Sequence, residues 1–434
     1  NMKNTFIISC PIDTFSGYGA RSRDFVKALI ELDEYEVSII SQRWGSTPEN
    51  FIENNKKEWG FLQKHLIPGL QGKPDIWCQV TVPNEFQPMG KYNIGLTAGM
   101  ETTHVHQTWV EGCNRMDLIL TSSNHSKQTF INSQYQAKDG SHILKVEKPI
   151  EVLFEGVNLD VYKKIKEFKN KDLKQKIESI PEKFAYLTVG HWMQGEMGHD
   201  RKNIGLTIKA FYEIFKDKPE KPALILKTCA VGGNNIDKAE MLRRIELIRE
   251  SCKSNDLPNV YLLHGDFTDT EMNEIYNNHK VKAMISLTKG EGFGRPLLEF
   301  SVLNKPIITT GWSGHVDFLS KDYCALLGGE LEKVHPSAQV KDMILAESQW
   351  FKVGDQWINN AYQDVYHNYK SWKEKSKTQG FNSRKNFSFK KMKTLIESIF
   401  KENIPELPKK MELKLPGIDK IKMPKKNNKL KIVK

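Results

Sequence analysis

The sequence lacks any long apolar run. Its apolar stretches, such as "TFIISC" and "PALIL", are of strand length, whereas a membrane-spanning helix needs roughly 20 apolar residues. The first residues also lack a basic segment followed by an apolar one and a small-residue cleavage site, which predicts no secretory signal. We therefore expect no transmembrane helix and a cytoplasmic location.

Cysteine is scarce and scattered. The six cysteines include no Cys-x-x-Cys pair, and most lie in apolar surroundings. This distribution favours buried free thiols in a reducing compartment over disulfides or a metal site. His104 and His106 are two residues apart, but no second ligand pair follows at the spacing of a zinc site, so we predict no metal.

Acidic residues are too few to balance the 64 Lys and Arg residues, and the net charge is +11. Residues 409–434, "KKMELKLPGIDKIKMPKKNNKLKIVK", hold ten lysines against two acids and so carry +8 of that charge. Pro416, Gly417 and Pro424 argue against a continuous helix. We predict either a solvated tail or a polybasic contact for nucleic acid or an anionic membrane, with the protein peripheral to one of these.

Apolar strand patterns alternate with helical ones in two series. The first series has strands near residues 4–10, 35–41, 75–82, 93–99, 117–123 and 150–156, and the second near residues 184–192, 223–229, 260–265, 283–288, 306–311 and 324–328. Near-continuous apolar strands separated by helices indicate parallel sheets buried on both faces. The pattern predicts an α/β protein with two doubly wound, Rossmann-like domains facing each other across a cleft.

A lysine-rich stretch, residues 163–183, separates the two series and reads as a linker or a surface helix. We predict an N-terminal domain over residues 1–160 and a C-terminal domain over residues 161–384. A C-terminal helix over residues 385–408 is expected to pack back on the N-terminal domain. The basic tail occupies residues 409–434.

The stretch "KGEGFGRPLLEF", residues 289–300, follows one of the apolar strands. Ligands of open α/β sheets bind at such strand ends, and the glycines let backbone amides approach an anion. Glu299 can accept hydrogen bonds from ligand hydroxyls, while Glu291 faces another part of the same ligand. Arg201 and Lys202 lie in a strand-to-helix loop of the same domain and suit a diphosphate. A nucleotide sugar has this anatomy.

Six segments, in order, resemble the retaining GT-B glycosyltransferases, especially glycosyltransferase family 4. The signature "EGFGRPLLE" is similar to the E-x7-E motif, and "FSGYGARSRDFVKAL" is similar to the N-terminal glycine loop and helix. The other four segments are "GMETTHVHQTWVEGCNRMDLILTSSNHSKQTF", the hinge-like "VLFEGVNLDVY", the basic "RKN" and the glycine turn "GWSGHVDFL". The resemblance covers most of the chain.

The resemblance implies an acceptor domain at the N-terminus and a donor domain for a UDP or GDP sugar at the C-terminus. Glu291 would contact the transferred sugar, and Arg201 and Lys202 would neutralise the leaving diphosphate without a metal or other cofactor. His104 would approach the sugar, with Glu101 and His106 as rivals and a structural histidine as the alternative. The implied donor-binding set is Gly17, Gly19, Gly292, Phe293, Gly294, Arg295, Leu298 and Glu299, with Glu299 on the ribose.

The implied reaction is metal-independent transfer of a hexosyl or pentosyl group with retention of configuration. The acceptor hydroxyl would attack from the front face, with the leaving phosphate as base. A glycan or lipid-linked glycan is the expected acceptor. A hydroxymethylated pyrimidine base in DNA is the alternative, and a non-catalytic nucleic-acid-binding protein is the second. A dehydrogenase is disfavoured, because Gln42 and Arg43 follow the second strand where an acid would bind a ribose.

Overall fold

The computed structural model describes residues 3–230 and 234–408. The described residues up to Ile404 form one compact unit. The basic tail predicted over residues 409–434 lies outside the described residues. All six cysteines are free and buried, which confirms that prediction. Within the described ranges, no helix is long and apolar enough to cross a membrane.

The first half of the chain builds a parallel six-stranded sheet. The strands of this sheet are β1 (Asn4–Cys10), β2 (Tyr35–Ser41), β3 (Ile76–Val80), β4 (Tyr92–Leu96), β5 (Leu118–Thr121) and β8 (Ile150–Val152). Between β5 and β8 in the chain, β6 (Tyr135–Gln136) and β7 (Ile143–Leu144) form a separate antiparallel pair. The spatial order is β2-β1-β3-β4-β5-β8. The helices are α1 (Gly17–Leu32), α2 (Phe51–Asn54), α3 (Lys56–Trp59), α4 (Gln107–Asn114) and α5 (Asn124–Asn132). Either Ser122 or Ser123 is predicted to cap α5 from its position before the helical pattern, and Ser123 is the cap.

The second half repeats this architecture. Its strands are β9 (Ala185–Val189), β10 (Ala223–Lys227), β11 (Val260–Leu263), β12 (Val281–Ser286), β13 (Ile307–Thr310) and β14 (Ala325–Leu327), in the spatial order β11-β10-β9-β12-β13-β14. The helices are α6 (Lys171–Glu178), α7 (Ile204–Phe215), α8 (Asn235–Ser251), α9 (Asp269–Asn277) and α10 (Arg295–Ser301). The strand order reverses between β9 and β12, which is where ligands bind in such sheets.

A hairpin that the sequence analysis did not predict follows the second sheet. Its strands are β15 (Gly329–Lys333) and β16 (Gln349–Val353). The hairpin reaches the first half of the chain, because the Gln349 amide donates to Thr103 Oγ1 at 2.9 Å and the Thr103 amide donates to the Gln349 carbonyl at 3.0 Å. Three helices follow it: α11 (Asp355–His367), α12 (Tyr369–Asn386) and α13 (Phe389–Asn403).

The chain passes between the two sheets twice, and the two passages lie side by side. The Val157 amide donates to the Phe387 carbonyl at 2.9 Å, and the Phe389 amide donates to the Val157 carbonyl at 2.8 Å. Helix α13 then packs against α1 and β1, with the Phe400 ring 5.8 Å from that of Phe6 and 6.4 Å from that of Phe25. The domain boundaries at residues 160, 384 and 408 stay predictions.

Candidate functional site

A cleft with a cavity volume of about 440 Å³ opens between the carboxyl ends of the two sheets. The first half of the chain contributes the start of α1 and the loops after β2, β4, β5 and β8, and the second half contributes the loops after β9, β10 and β12. The lining residues are Gly17, Tyr18, Trp44, Ala98, Glu101, Ser122, Glu155, Val189, Gly190, His191, Arg201, Lys202, Lys227, Cys229, Glu291, Gly292, Phe293, Gly294, Arg295 and Pro296.

The loop after β12 is held tightly against its surroundings. The Lys289 amide donates to the Arg201 carbonyl at 2.8 Å, and the Glu291 amide donates to Ser313 Oγ at 2.8 Å. A Cβ at Gly290 would lie 1.8 Å from the Glu101 carbonyl oxygen, so only glycine allows this approach of the two halves. Gly294 has φ +94° and turns the chain into α10. These contacts bring the loop beside the basic pair.

Glu291 forms the centre of a buried charge cluster. Its carboxylate accepts from Lys202 Nζ at 2.6 Å and lies 3.5 Å from Arg201 Nη1. Arg201 Nε is also 3.9 Å from Glu101 Oε1. Burial acts to raise the pKa of Glu291, but Lys202 and Arg201 outweigh it and lower the pKa to about 2. The carboxylate is therefore ionised at neutral pH. The cluster holds two carboxylates, Glu291 and Glu101, and two cationic side chains, Lys202 and Arg201.

A second charge cluster surrounds Arg295 at the other side of the cleft. The guanidinium contacts Asp24 of α1, lies 4.0 Å from Glu155 and lies 3.5 Å from Glu299. Several carboxylates thus share one cation. Burial, against the opposing effect of Arg295, raises the pKa of Glu299 to about 8. Glu299 therefore holds a proton more readily than an ordinary glutamate, and the Tyr276 hydroxyl lies 3.5 Å from its Oε2.

The structure places eight predicted site residues in the cleft lining and four outside it. Those in the lining are Gly17, Arg201, Lys202, Glu291, Gly292, Phe293, Gly294 and Arg295. Gly19 packs against Thr14, and Leu298 is buried. Glu299 contacts Arg295 but does not line the cleft. The His104 ring shares a hydrogen bond with the Thr103 hydroxyl at 2.9 Å, whereas its rival Glu101 lies in the cleft. His106 caps α4.

Tyr18, Lys227 and His191 line the cleft, although the sequence analysis did not select them. The Tyr18 ring stacks on Trp44 with centroids 4.1 Å apart, and its hydroxyl lies 3.2 Å from Thr97 Oγ1. Lys227 ends β10 and His191 follows β9 by two residues; both line the cleft, and Lys227 adds to its positive charge. Burial, together with Lys227, Lys202 and Arg201, lowers the pKa of His191. Position at or just beyond the end of an apolar strand was the sequence signal available for these two residues.

A metal site was not predicted. In residues 3–230 and 234–408, no three His, Cys, Asp or Glu side chains are grouped so that they could hold a metal ion. Four cationic side chains line the cleft: Arg201, Lys202, Lys227 and Arg295.

Solved structures share the architecture of this chain. A glycosyltransferase from Rickettsia africae ESF-5 matches with a TM-score of 0.58 and 16% identity, covering 93% of this chain and 99% of that one. Sucrose-phosphate synthase from Thermosynechococcus elongatus matches with a TM-score of 0.58 and 11% identity, covering 92% and 99%. The chain has the GT-B fold. The Anabaena protein Alr3699/HepE, in complex with UDP and glucose, adds a GT-B match with a TM-score of 0.54 and 13% identity, covering 92% and 100%.

No family model and no curated protein matches the sequence. The predicted GT-B fold is confirmed by these structures and by the two parallel six-stranded sheets. At 11–16% identity the likeness carries the GT-B fold and not the reaction. The assignment to glycosyltransferase family 4 stays a prediction.

Proposed function

We propose that the protein is a retaining glycosyltransferase that moves a sugar from a nucleotide-diphosphate sugar to an acceptor hydroxyl. One observation carries the proposal: Lys202 and Arg201 meet Glu291 in a buried cleft at the strand-order reversal of a GT-B fold. Solved GT-B proteins of similar shape support the donor class, since Alr3699/HepE was solved with UDP-glucose.

The charge cluster suggests how the donor would enter. A diphosphate would compete with Glu291 for Lys202 and Arg201, because both cations now contact that carboxylate. Once released, Glu291 would be free to accept hydrogen bonds from the sugar hydroxyls. The two cations would then balance the charge that develops on the leaving diphosphate, which is electrostatic stabilisation without a metal. The leaving phosphate oxygen would take the proton of the acceptor hydroxyl during front-face attack.

Glu299 would hold the ribose of the donor nucleotide. Arg295 lines the cleft and contacts Glu299, which does not, so a donor that reaches Glu299 would have to displace the guanidinium from that carboxyl group. Asp24 and Glu155 offer Arg295 alternative partners, which lowers the cost of such a displacement. A protonated Glu299 can also donate a hydrogen bond to a ribose hydroxyl.

The acceptor would enter from the first half of the chain. A neighbouring cavity of about 310 Å³ shares Trp44 with the cleft, and Gln42, Arg43 and Gln79 also line it. Stacked aromatic rings such as Tyr18 and Trp44 offer an apolar face to a sugar, and side-chain amides match its hydroxyls. A glycan, free or lipid-linked, is therefore the acceptor class that we propose.

A nucleotide-sugar panel tests the proposal. We expect a UDP or GDP sugar to raise the melting temperature and to be turned over, and we expect Glu291→Ala to reduce turnover at least about 100-fold. Asp322→Ala, at an exposed acid in another loop, is the control and should turn over normally. Unchanged turnover in Glu291→Ala would contradict the proposed contact between Glu291 and the transferred sugar. Absence of binding by the whole panel would contradict the function.

Acceptor assays distinguish the alternatives. Transfer to an oligosaccharide or lipid-linked glycan supports the proposal, whereas transfer to hydroxymethylated DNA that requires residues 409–434 supports the DNA-modifying alternative. Turnover that persists in EDTA supports metal independence. Duplex binding without transfer of any sugar would favour a nucleic-acid-binding protein.

A further inference from the structure

A second charged cavity lies at the far side of the second sheet from the cleft. Lys282 is the second residue of β12, and Lys305 precedes β13 by two residues, so both lie at the amino ends of their strands. The cleft loops leave the carboxyl ends of the same sheet. Residues 164–166, after the first passage between the sheets, and the start of α12 close the cavity, which has a volume of about 470 Å³.

Five lysines line this cavity, which we call the lysine pocket: Lys164, Lys166, Lys282, Lys305 and Lys373. The remaining lining residues are Ile165, Asn277, His279, Leu303 and Tyr369. No carboxylate is among them. In the part of the chain that the structure describes, no ion pair joins any of the five lysines to an acid, and the nearby Glu178 pairs with His279 at 3.3 Å and with Lys174 at 3.8 Å.

Lys305 is fixed at the wall of the pocket. Its Nζ donates to the carbonyl oxygens of Tyr276, Asn278 and Val281 at 2.6, 3.0 and 2.7 Å. These three bonds anchor the Lys305 amine at the wall of the pocket, so it is a fixed group rather than a movable contact. Burial, with Lys373, Lys282 and Lys164 nearby, lowers the pKa of Lys305 to about 7. Burial lowers the pKa of Lys373, and the positive charges of Lys164 and Lys282 lower it further.

The pocket also offers an apolar side. Leu303 is 3% exposed, and the half-buried Tyr369 ring has Lys282 Nζ 5.7 Å from its centroid. The Tyr369 hydroxyl donates to the Lys282 carbonyl at 3.2 Å, which holds the ring in place. A ligand in the pocket would therefore meet ammonium groups and an aromatic surface together.

We propose that the lysine pocket binds a small organic phosphate with at least two phosphate groups. Clustered like charges repel one another and reduce stability unless an anion neutralises them. Lysine ammonium groups bind phosphate as point charges, and none of the five pairs with a carboxylate among the described residues. A concave cavity of this size suits a small molecule, whereas a nucleic-acid backbone is bound along an extended groove. The site is separate from the cleft and does not depend on the proposed function.

Calorimetric titration of the full chain with tripolyphosphate and with ATP tests the proposal. All proteins carry Lys202→Ala, which removes a cation from the cleft. In this background, Lys282→Ala/Lys373→Ala should weaken binding of both probes at least about ten-fold. Lys370→Ala/Lys391→Ala removes the same charge from exposed positions on α12 and α13 and should leave binding unchanged.

Lys164→Ala/Lys166→Ala removes two exposed lysines of the pocket and gives an independent measurement should the first pair destabilise the fold. Equal binding by the pocket variants and the exposed-lysine variant would overturn the proposal. So would absence of binding by the background protein. If a DNA duplex binds, depends on Lys282 and Lys373, and tripolyphosphate does not bind, the small-ligand proposal is wrong and the pocket contacts a polymer.

Discussion

Replacing Glu291 by glutamine should change stability and nucleotide binding in opposite directions. The carboxylate accepts from Lys202 at 2.6 Å and lies 3.5 Å from Arg201, in a cleft wall where its own residue is 5% exposed. Glutamine keeps the shape and one acceptor but loses the charge. The variant therefore removes a stabilising ion cluster and, at the same time, a competitor for the two cations.

The stability change follows from the pKa of Glu291, which falls from 4.5 to about 2 on folding. Such a shift corresponds to about 3 kcal/mol at pH 7. Because the folded pKa is the lower one, this stabilisation is present above pH 4.5 and is lost as the pH falls towards 2. The difference in unfolding free energy between parent and Glu291→Gln should shrink over the same range.

The binding change follows from charge. At an effective dielectric constant near 20, a carboxylate about 7 Å from a phosphate charge repels it by about 2 kcal/mol. Removing it should tighten UDP binding roughly 30-fold, while transfer from a UDP sugar falls. UDP is the better probe because it lacks the sugar that Glu291 is proposed to contact.

The assay is calorimetric titration with UDP, beside urea unfolding at pH 7, 4 and 3. Glu332→Gln is the matched control, since Glu332 pairs with buried Lys289 at 2.7 Å but does not line the cleft. It should lose stability without a change in UDP affinity. Weaker or unchanged UDP binding by Glu291→Gln would refute the proposed competition between Glu291 and the diphosphate.

Three further predictions concern other parts of the molecule. Burial, opposed by Arg295, raises the pKa of Glu299 to about 8, so Glu299→Gln should gain stability relative to the parent as the pH rises from 4.5 to 8. Urea unfolding at pH 4 and pH 8 measures this, and an equal difference in unfolding free energy between the two proteins at both pH values would contradict it. Gly112→Ala should cost about 2–4 kcal/mol, because a Cβ would lie 1.7 Å from the Pro83 carbonyl oxygen; an unchanged melting temperature would count against this packing. Trp44→Ala should raise the acceptor KM and spare UDP affinity by calorimetry, and loss of UDP affinity alone would move Trp44 to the donor side.

The fold was readable from sequence because its signals are local. Apolar strands such as β9 and β12 are bounded by polar or glycine-containing loops, so their alternation with helices predicts both sheets. The β15–β16 hairpin was missed, although "GELEK" alternates polar and apolar residues as an edge strand does. The short run lay between stronger patterns and was not recognised.

The site was less readable, because its chemistry depends on residues far apart in the chain. The motif around Glu291 indicated an anion site, and the structure brings Arg201 and Lys202 to it. Sequence patterns could not show that Asp24, 271 residues away, contacts Arg295. The polar segment that holds Glu101 and His104 could not show which of the two lines the cleft, because the pattern of a loop does not fix the direction of its side chains.

Helix α13 has a consequence for how the protein is made. The Phe400 ring packs near those of Phe6 and Phe25, so the packing of the first sheet includes a residue far along the chain from β1. At roughly 5–20 residues per second, a ribosome needs about 20–80 s to reach that helix after β1 has emerged. Throughout that interval, Phe6 and Phe25 cannot make their native contacts with α13.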